Sequence, residues 1–325
     1  MTFPKFYIGP LSKNIVDVVI EENIDKEIGF ILSRRQIDFS SGYVNGWSTK
    51  SFYNYIKSQN KKIILCRDHG GQNQGELNDD GITSFKEDAK YLDLIHIDPF
   101  LSSVNLDEAI KETIFLIQKI YLQNNKIFFE VGTEESIFRY EPDHLKYFLS
   151  ELKSNLPTKV FNNIKYAVIQ SGTSLNLPKM KNTGKFDIKR TLDFLKVTKN
   201  FGLLSKEHNG DYQIDNNQLN YKISLGIDAI NIAPEFGQLE SIEYLNLCCE
   251  KEEFFNDLYR ICYESNKWRK WVLDERNITQ KEIILTCCHY LLSNENFKKT
   301  IKNNFPNIDL IIKKRIKKQL KKMYD

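Results

Sequence analysis

Eight apolar runs of strand length recur along the chain, and segments with helical spacing lie between them. The runs are Phe6–Gly9, Ile28–Ser33, Lys62–Gly71, Leu92–Asp98, Lys126–Val131, Tyr166–Gly172, Leu203–Asn209 and Ile227–Pro234. Several are continuously apolar rather than alternating, which marks strands buried on both faces, as in parallel sheets. The intervening helical segments include Asn14–Ile20, a helix capped by Ser48 or Thr49, the stretch beginning at Thr83, the amphipathic Leu106–Leu122, the region around His144–Leu152, Asp187–Thr198 and Asn216–Leu225. This alternation predicts an α/β fold, a (β/α)₈ TIM barrel. A doubly wound open sheet is the alternative, but it gathers fewer strand ends around one centre. Beyond about residue 240 only helical patterns remain. The chain therefore divides into a barrel over residues 1–240 and a helical extension over 241–325, packed on the barrel and containing Trp268-Arg-Lys-Trp271.

Composition narrows the partners. Among 325 residues, 41% are hydrophobic, and lysines and arginines (46) exceed acids (43) by 3. That balance implies neither a nucleic-acid nor a membrane partner. The basic stretch Lys313–Lys322 carries Ile and Leu at helical spacing and reads as the solvated face of a terminal helix. The six cysteines form no Cys-x-x-Cys pair and read as reduced core thiols. The start lacks the pattern of a signal peptide and no run is long enough to span a membrane, so a cytoplasmic protein is expected.

The chemistry gathers at the ends of the runs. The third ends in Asp68-His69-Gly70-Gly71, the fourth carries His96 and Asp98, the fifth leads from Glu130 through Gly132-Thr-Glu134, the sixth ends in Gln170-Ser171, the seventh in Glu207-His208 and the eighth holds Asn231. Carboxyl ends of parallel strands are where barrel enzymes meet ligands. Neighbouring strand residues point to opposite faces, so Asp68 and His69 serve one site only if the strand breaks there, which Gly70 and Gly71 ease. Asp68-His69 alone also reads as a capping Asp and a surface His. His69 and His208, beside acids, suit a divalent metal. His96 reads as a ligand or as a satisfied histidine behind one. His144 reads as an exposed helical residue, His289 as part of a buried helix despite the preceding Cys287-Cys288, and Trp268 and Trp271 as core. Gly132-Thr-Glu-Glu and Gln170-Ser-Gly-Thr-Ser174 offer amides and hydroxyls to an anionic or polyhydroxylated ligand, or simply cap their loops. Walker and Gly-x-Gly-x-x-Gly sequences are absent, which disfavours a P-loop kinase and a dinucleotide dehydrogenase.

Ordered matches across nearly the whole chain carry a resemblance. His208, Asp211, Tyr212 and Gln213 fit a Gly-His-Ser-Thr-Asp-Tyr-Gln segment, and Asp68, His69, Gly71 and Asn73 a Gly-Asp-His-Leu-Gly-Pro-Asn motif. Ile95-His-Ile-Asp98, Gly132-Thr-Glu134, Gln170 with Gly172, Pro234 and Lys267-Trp-Arg follow in the same order. The chain thus resembles the Z-type, non-catalytic subunit family of class II tagatose-bisphosphate aldolase, related to ketose and tagaturonate epimerases. It departs from that pattern at Arg67, Gly70, Gln72, Glu207, Asn209 and Gly210, and Asn231 stands where a lysine is expected.

The resemblance implies a TIM barrel acting on phosphorylated or oxidised ketoses. The leading expectation is a metal-dependent ketose or ketose-phosphate epimerase, acting at C4 by retro-aldol and aldol chemistry. The alternative is a non-catalytic subunit stabilising a separate aldolase. In the enzymatic reading His69, His208 and Glu134 hold a divalent ion, zinc with manganese as the alternative. Asp68, Asp98 and Glu134 are the catalytic carboxylates, and Asn73, His96, Gln170, Ser171, Asp211 and Asn231 contact a sugar or sugar phosphate. A homo-oligomer or an aldolase partner subunit is the expected protein partner.

Overall fold

The computed structural model describes residues 3–22, 28–59, 62–76, 78–103, 105–133, 140–215, 217–272 and 274–324. Its ten strands are β1 (Phe6–Ile8), β2 (Ile28–Ser33), β3 (Leu65–Gly70), β4 (Leu94–Ile97), β5 (Phe128–Gly132), β6 (Ile164–Ile169), β7 (Leu175–Asn176), β8 (Lys181–Asn182), β9 (Leu204–Glu207) and β10 (Ala229–Ile232). Eight of them close a parallel barrel in the order β1, β2, β3, β4, β5, β6, β9, β10, with β10 returning to β1 through Phe6–Ile230 and Ile8–Ile232. Each barrel strand coincides with one of the eight apolar runs. The antiparallel β7–β8 hairpin lies in the loop between β6 and the helix Ile188–Asn200. The barrel was legible in the sequence; this hairpin was not, because two-residue strands leave no apolar period.

Two hydrophobic layers explain the closure. Inside the barrel, Tyr7, Ile31, Cys66, Leu94, Tyr166 and Ala229 form one buried cluster, with Phe3, Ile64, Phe128 and Leu204 packed beside it. The opposite strand faces pack against the surrounding helices in a second, larger cluster. Side chains alternate along a strand. Membership of the inner cluster therefore fixes which residues nearer the strand ends face the barrel centre.

Helix termini follow local chemistry. Ser48, rather than Thr49, caps the helix Thr49–Ser58, its side chain accepting from the Ser51 amide. His144 is exposed and accepts from the Glu141 amide at 2.9 Å, closing the first turn of the helix Pro142–Asn155. Arg67 is fully buried on the outer face of β3, where it clamps Asp88 of the helix Ile82–Tyr91 through two bonds of 2.7 and 2.6 Å.

The helix Pro234–Cys248 follows the last barrel strand, and beyond it come the helices Glu252–Glu264, Gln280–Cys287, Glu295–Thr300 and Ile308–Lys322 with short 3-10 turns between them. The last helix buries Ile308, Ile312, Ile316 and Leu320, a stripe at four-residue spacing. Its lysines lie outside that stripe, and two of them reach acids of the neighbouring helix Lys13–Glu22, Lys313 pairing with Asp17 at 2.7 Å and Lys317 with Glu22. No helix among the described residues is long and apolar enough to cross a membrane. Five of the cysteines are buried free thiols; Cys249, also free, is exposed, which corrects the reading of all six as core.

His289 lies in the 3-10 turn Cys288–Leu291, 1% exposed, with no hydrogen-bond partner for either nitrogen among the described residues. Burial, reinforced by the charge of Lys270, lowers its pKa to about 3. Its unfolded value is about 6.5, so below that pH the unfolded state takes up the proton first and acidification destabilises the native state. His289→Leu should remove this contribution. In urea titrations the stability difference between wild type and variant should shift against wild type by about 1.4 kcal/mol per pH unit between pH 6 and 4. Parallel pH dependence of the two proteins would mean that this imidazole is not held neutral.

Candidate active site and metal centre

The inner cluster points directly at the site. Moving two residues at a time from its members leads from Cys66 to Asp68, from Leu94 to His96, from Phe128 to Glu130, from Leu204 through Lys206 to His208, and from Ala229 to Asn231. Asp68, His96 and His208 converge toward the carboxyl-terminal end of the barrel, with Glu130 and Lys206 in contact beneath His208. Asp68, His69, His96 and His208 each offer a ligand atom, and these atoms lie within 4.8 Å of one another. His69 Nε2 is 3.3 Å from His208 Nδ1, and Asp68 Oδ1 is 3.7 and 3.9 Å from those same nitrogens.

His69 joins the cluster against the alternation rule. Between Arg67 and Gly70 the pairing of β3 with β4 slips, and His69 takes a φ of 42°, in the left-handed region that non-glycine residues seldom occupy. The sequence suggested that Gly70 and Gly71 absorb the break. Instead His69 does, and the glycines permit close approach: a Cβ on Gly70 would stand 2.8 Å from the His96 carbonyl oxygen, and one on Gly71 2.5 Å from that of Asp98. A left-handed histidine costs of order 1–3 kcal/mol, and such strain collects at functional sites.

Carboxylates behind the imidazoles set their orientation. His69 Nδ1 meets Asp98 Oδ2 at 2.6 Å, and Asp98 Oδ1 accepts from the Phe100 amide at 3.1 Å. His208 Nε2 meets Glu130 Oε1 at 2.7 Å, while the other Glu130 oxygen accepts from Lys206 Nζ at 2.6 Å. These contacts direct His69 Nε2 and His208 Nδ1 toward the common centre. Burial opposes ionisation of Glu130, but Lys206 and the histidines outweigh it and hold the carboxyl well below the ordinary range. Lys206 is likewise buried, and Cys66 and Glu130 raise its pKa despite the lost hydration. Its ammonium sits 3.7 Å from the centroid of the Tyr7 ring. His96 is driven the other way: burial lowers its pKa to about 4, leaving a neutral imidazole at neutral pH. Three imidazoles, one carboxylate and two supporting carboxylates suit a divalent ion.

The remaining predicted residues separate into two groups. Asn73 Oδ1, Ser171 Oγ and both polar atoms of the Asn231 side chain are buried without a hydrogen-bond partner among the described residues, as is Thr133 Oγ1 after β5. Gln170 lines the mouth, its Oε1 accepting from the Tyr140 amide at 3.0 Å. Asp211 lies outside the cluster: its Oδ1 accepts from the amides of Ala233 and Glu235 at 3.0 and 2.8 Å, holding the start of the helix Pro234–Cys248. Glu134 falls outside the described residues. Lys206 is absent from the residues the strand-end pattern singles out, and Glu130 stands there only as a polar strand tip. The available signal was parity: each stands on the inner face of its strand, Lys206 two residues before His208.

Above the cluster opens a cavity of about 1140 Å³ whose walls include His69, Asp98, Gln170, Arg190, His208 and Trp271. The same fold occurs in fructuronate-tagaturonate epimerase UxaE from Cohnella laeviribosi. Its native crystal structure superposes with a TM-score of 0.64 and 11% sequence identity, over 99% of this chain and 81% of that one. A glycerol complex of the same protein gives a TM-score of 0.64 and 10% identity over 100% and 82%. At such identity the likeness is one of fold. The sequence matches no protein-family model and no curated protein.

Proposed function

We propose that the protein is a metal-dependent epimerase of a ketose, either oxidised to the acid or phosphorylated, that inverts C4 by retro-aldol cleavage and re-addition. The convergence of Asp68, His69, His96 and His208 at the carboxyl end of a closed barrel carries this reading. The motif resemblance and the likeness of fold to an epimerase of sugar acids support the substrate class. His69, His96 and His208 would hold the ion, zinc or manganese. When bound, such an ion supplies a Lewis acid for a ketose carbonyl and stabilises the charge that develops beside it.

The protein's own groups account for the proton movements. Asp68 is the most exposed carboxylate of the site, its side chain 21% exposed against 8% for Asp98 and none for Glu130. It takes the proton from the C4 hydroxyl as the C3–C4 bond breaks, leaving an aldehyde at C4 and an enediolate at C2–C3. The aldehyde turns its other face, C3 re-forms the bond, and Asp68 returns the proton to the new C4 oxygen. Asp98 and Glu130 keep the imidazoles in place. Asn73, Ser171 and Asn231 pair with substrate hydroxyls, which gives their buried polar atoms partners.

Metal analysis tests the ligand set. Protein prepared without chelator should carry about one divalent ion per chain, and His69→Ala and His208→Ala should lose it. Chelated wild type should regain epimerase activity on fructuronate or tagaturonate, or on a ketose phosphate, when zinc or manganese is returned. Unchanged metal content in both variants would refute the assignment.

A further inference from the structure

The two tryptophans of Trp268-Arg-Lys-Trp271 part company in the fold. Trp268 is core: it is 2% exposed, stacks on Tyr263 with ring centroids 5.7 Å apart, and donates from Nε1 to the Tyr263 carbonyl at 3.1 Å. Trp271, only half-buried, lines the cavity that holds His69 and His208, so the expectation of two core residues fails for it. The extension thereby supplies a wall of the barrel mouth.

Trp271 is held firmly for a residue at a rim. Its Nε1 donates to the Tyr290 hydroxyl at 3.1 Å, and Tyr290 packs edge-on against Tyr43, which follows β2, at 4.9 Å. Lys270 Nζ lies over the Trp271 ring at 4.7 Å and over the Tyr290 ring at 5.1 Å. The indole N–H is thus committed to Tyr290 and one face is covered by an ammonium, leaving carbon surface for the cavity. The histidines and strand-end groups of the same cavity offer polar contacts, while Phe100 and Phe186 join Trp271 in supplying ring surface to its walls. A polyhydroxylated carbon chain has a matching asymmetry, with oxygens on one side and C–H bonds on another, and rigid aromatic rings are the usual partner for such C–H surface.

We infer that Trp271 is a specificity-determining residue, its ring packing on the C–H face of the sugar chain while the polar groups at the strand ends take the oxygens. The inference rests on the sugar reading of the mouth given above. It makes the extension part of the binding site, since a barrel without it lacks this wall.

Calorimetric titration of the metal-loaded protein with fructuronate and with tagaturonate tests it. Trp271→Ala should raise Kd roughly tenfold with metal content unchanged, and Trp271→Phe, which keeps a ring, should stay within about threefold. Tyr290→Phe removes the hydroxyl that anchors the indole and should weaken binding about two- to fivefold. Trp271→Leu keeps apolar packing but removes the ring face; it should resemble Trp271→Ala and decides the matter if that variant fails to fold. Wild-type affinity in a folded Trp271→Ala or Trp271→Leu protein would overturn the inference while leaving the sugar reading intact. No binding of either acid by wild type would overturn the inference together with the sugar-acid reading beneath it.

Discussion

Asp68→Asn is expected to lower turnover by about 10²- to 10⁴-fold while the ion stays bound, because it removes a proton acceptor and keeps the shape of the side chain. The expectation depends on where Asp68 stands. It continues the inner face of β3 beyond Cys66, comes within 4 Å of two cluster nitrogens, and remains partly exposed. Asp98 is placed differently: its side chain is only 8% exposed and engaged by His69 and the Phe100 amide. Asp98→Asn should therefore act chiefly through the orientation of His69, weakening metal affinity about 10- to 100-fold. Steady-state rates at saturating metal, with metal content measured in parallel, separate the two effects. An Asp68→Asn variant within tenfold of wild type would remove Asp68 from the proposed proton transfer.

The second large effect is on stability. Lys206 and Glu130 are both fully buried inside the barrel and 2.6 Å apart. Lys206→Met leaves Glu130 facing His208 without its main counter-charge, and breaking such a buried pair from one side typically costs about 3–5 kcal/mol. Replacing both charges is milder, because no uncompensated charge stays behind. Lys206→Met should therefore shift the urea midpoint strongly, and Lys206→Met combined with Glu130→Gln should recover much of the loss while still impairing metal binding through His208. A single variant as stable as wild type would mean that Glu130 has taken up a proton or found water, and that the pair does not support the barrel.

How much of this was legible beforehand depends on how local each cause is. Strands buried on both faces write themselves as continuous apolar runs, so all eight barrel strands could be read, and with them the ends on which Asp68, His96 and His208 stand. Local causes also set the Ser48 cap and the stripe Ile308, Ile312, Ile316 and Leu320. The Lys206–Glu130 pair has no local cause. A lysine in a strand reads as solvent-facing until the carboxylate 76 residues away is known to share the barrel interior. The left-handed turn at His69 depends on how closely β3 approaches the His96 and Asp98 carbonyls, which neighbouring residues do not encode. Asp211 shows the converse. It belongs to a recognisable motif with Tyr212 and Gln213, yet its carboxylate holds the start of a helix. Trp268 and Trp271 differ in fate because one faces Tyr263 within the extension and the other the barrel mouth, a tertiary distinction that three-residue spacing does not reveal.

NMR of fructuronate and tagaturonate in heavy water with the zinc- or manganese-loaded protein, alongside a set of ketose phosphates, tests the proposed epimerisation. Retro-aldol chemistry exchanges only the hydroxyl proton, so C4 epimers should interconvert without deuterium at carbon, a reaction abolished by chelation and restored by the metal. Deuterium at C3 would instead indicate enolisation at that centre, and no turnover of any of these substrates by the metal-loaded protein would contradict the enzymatic reading itself.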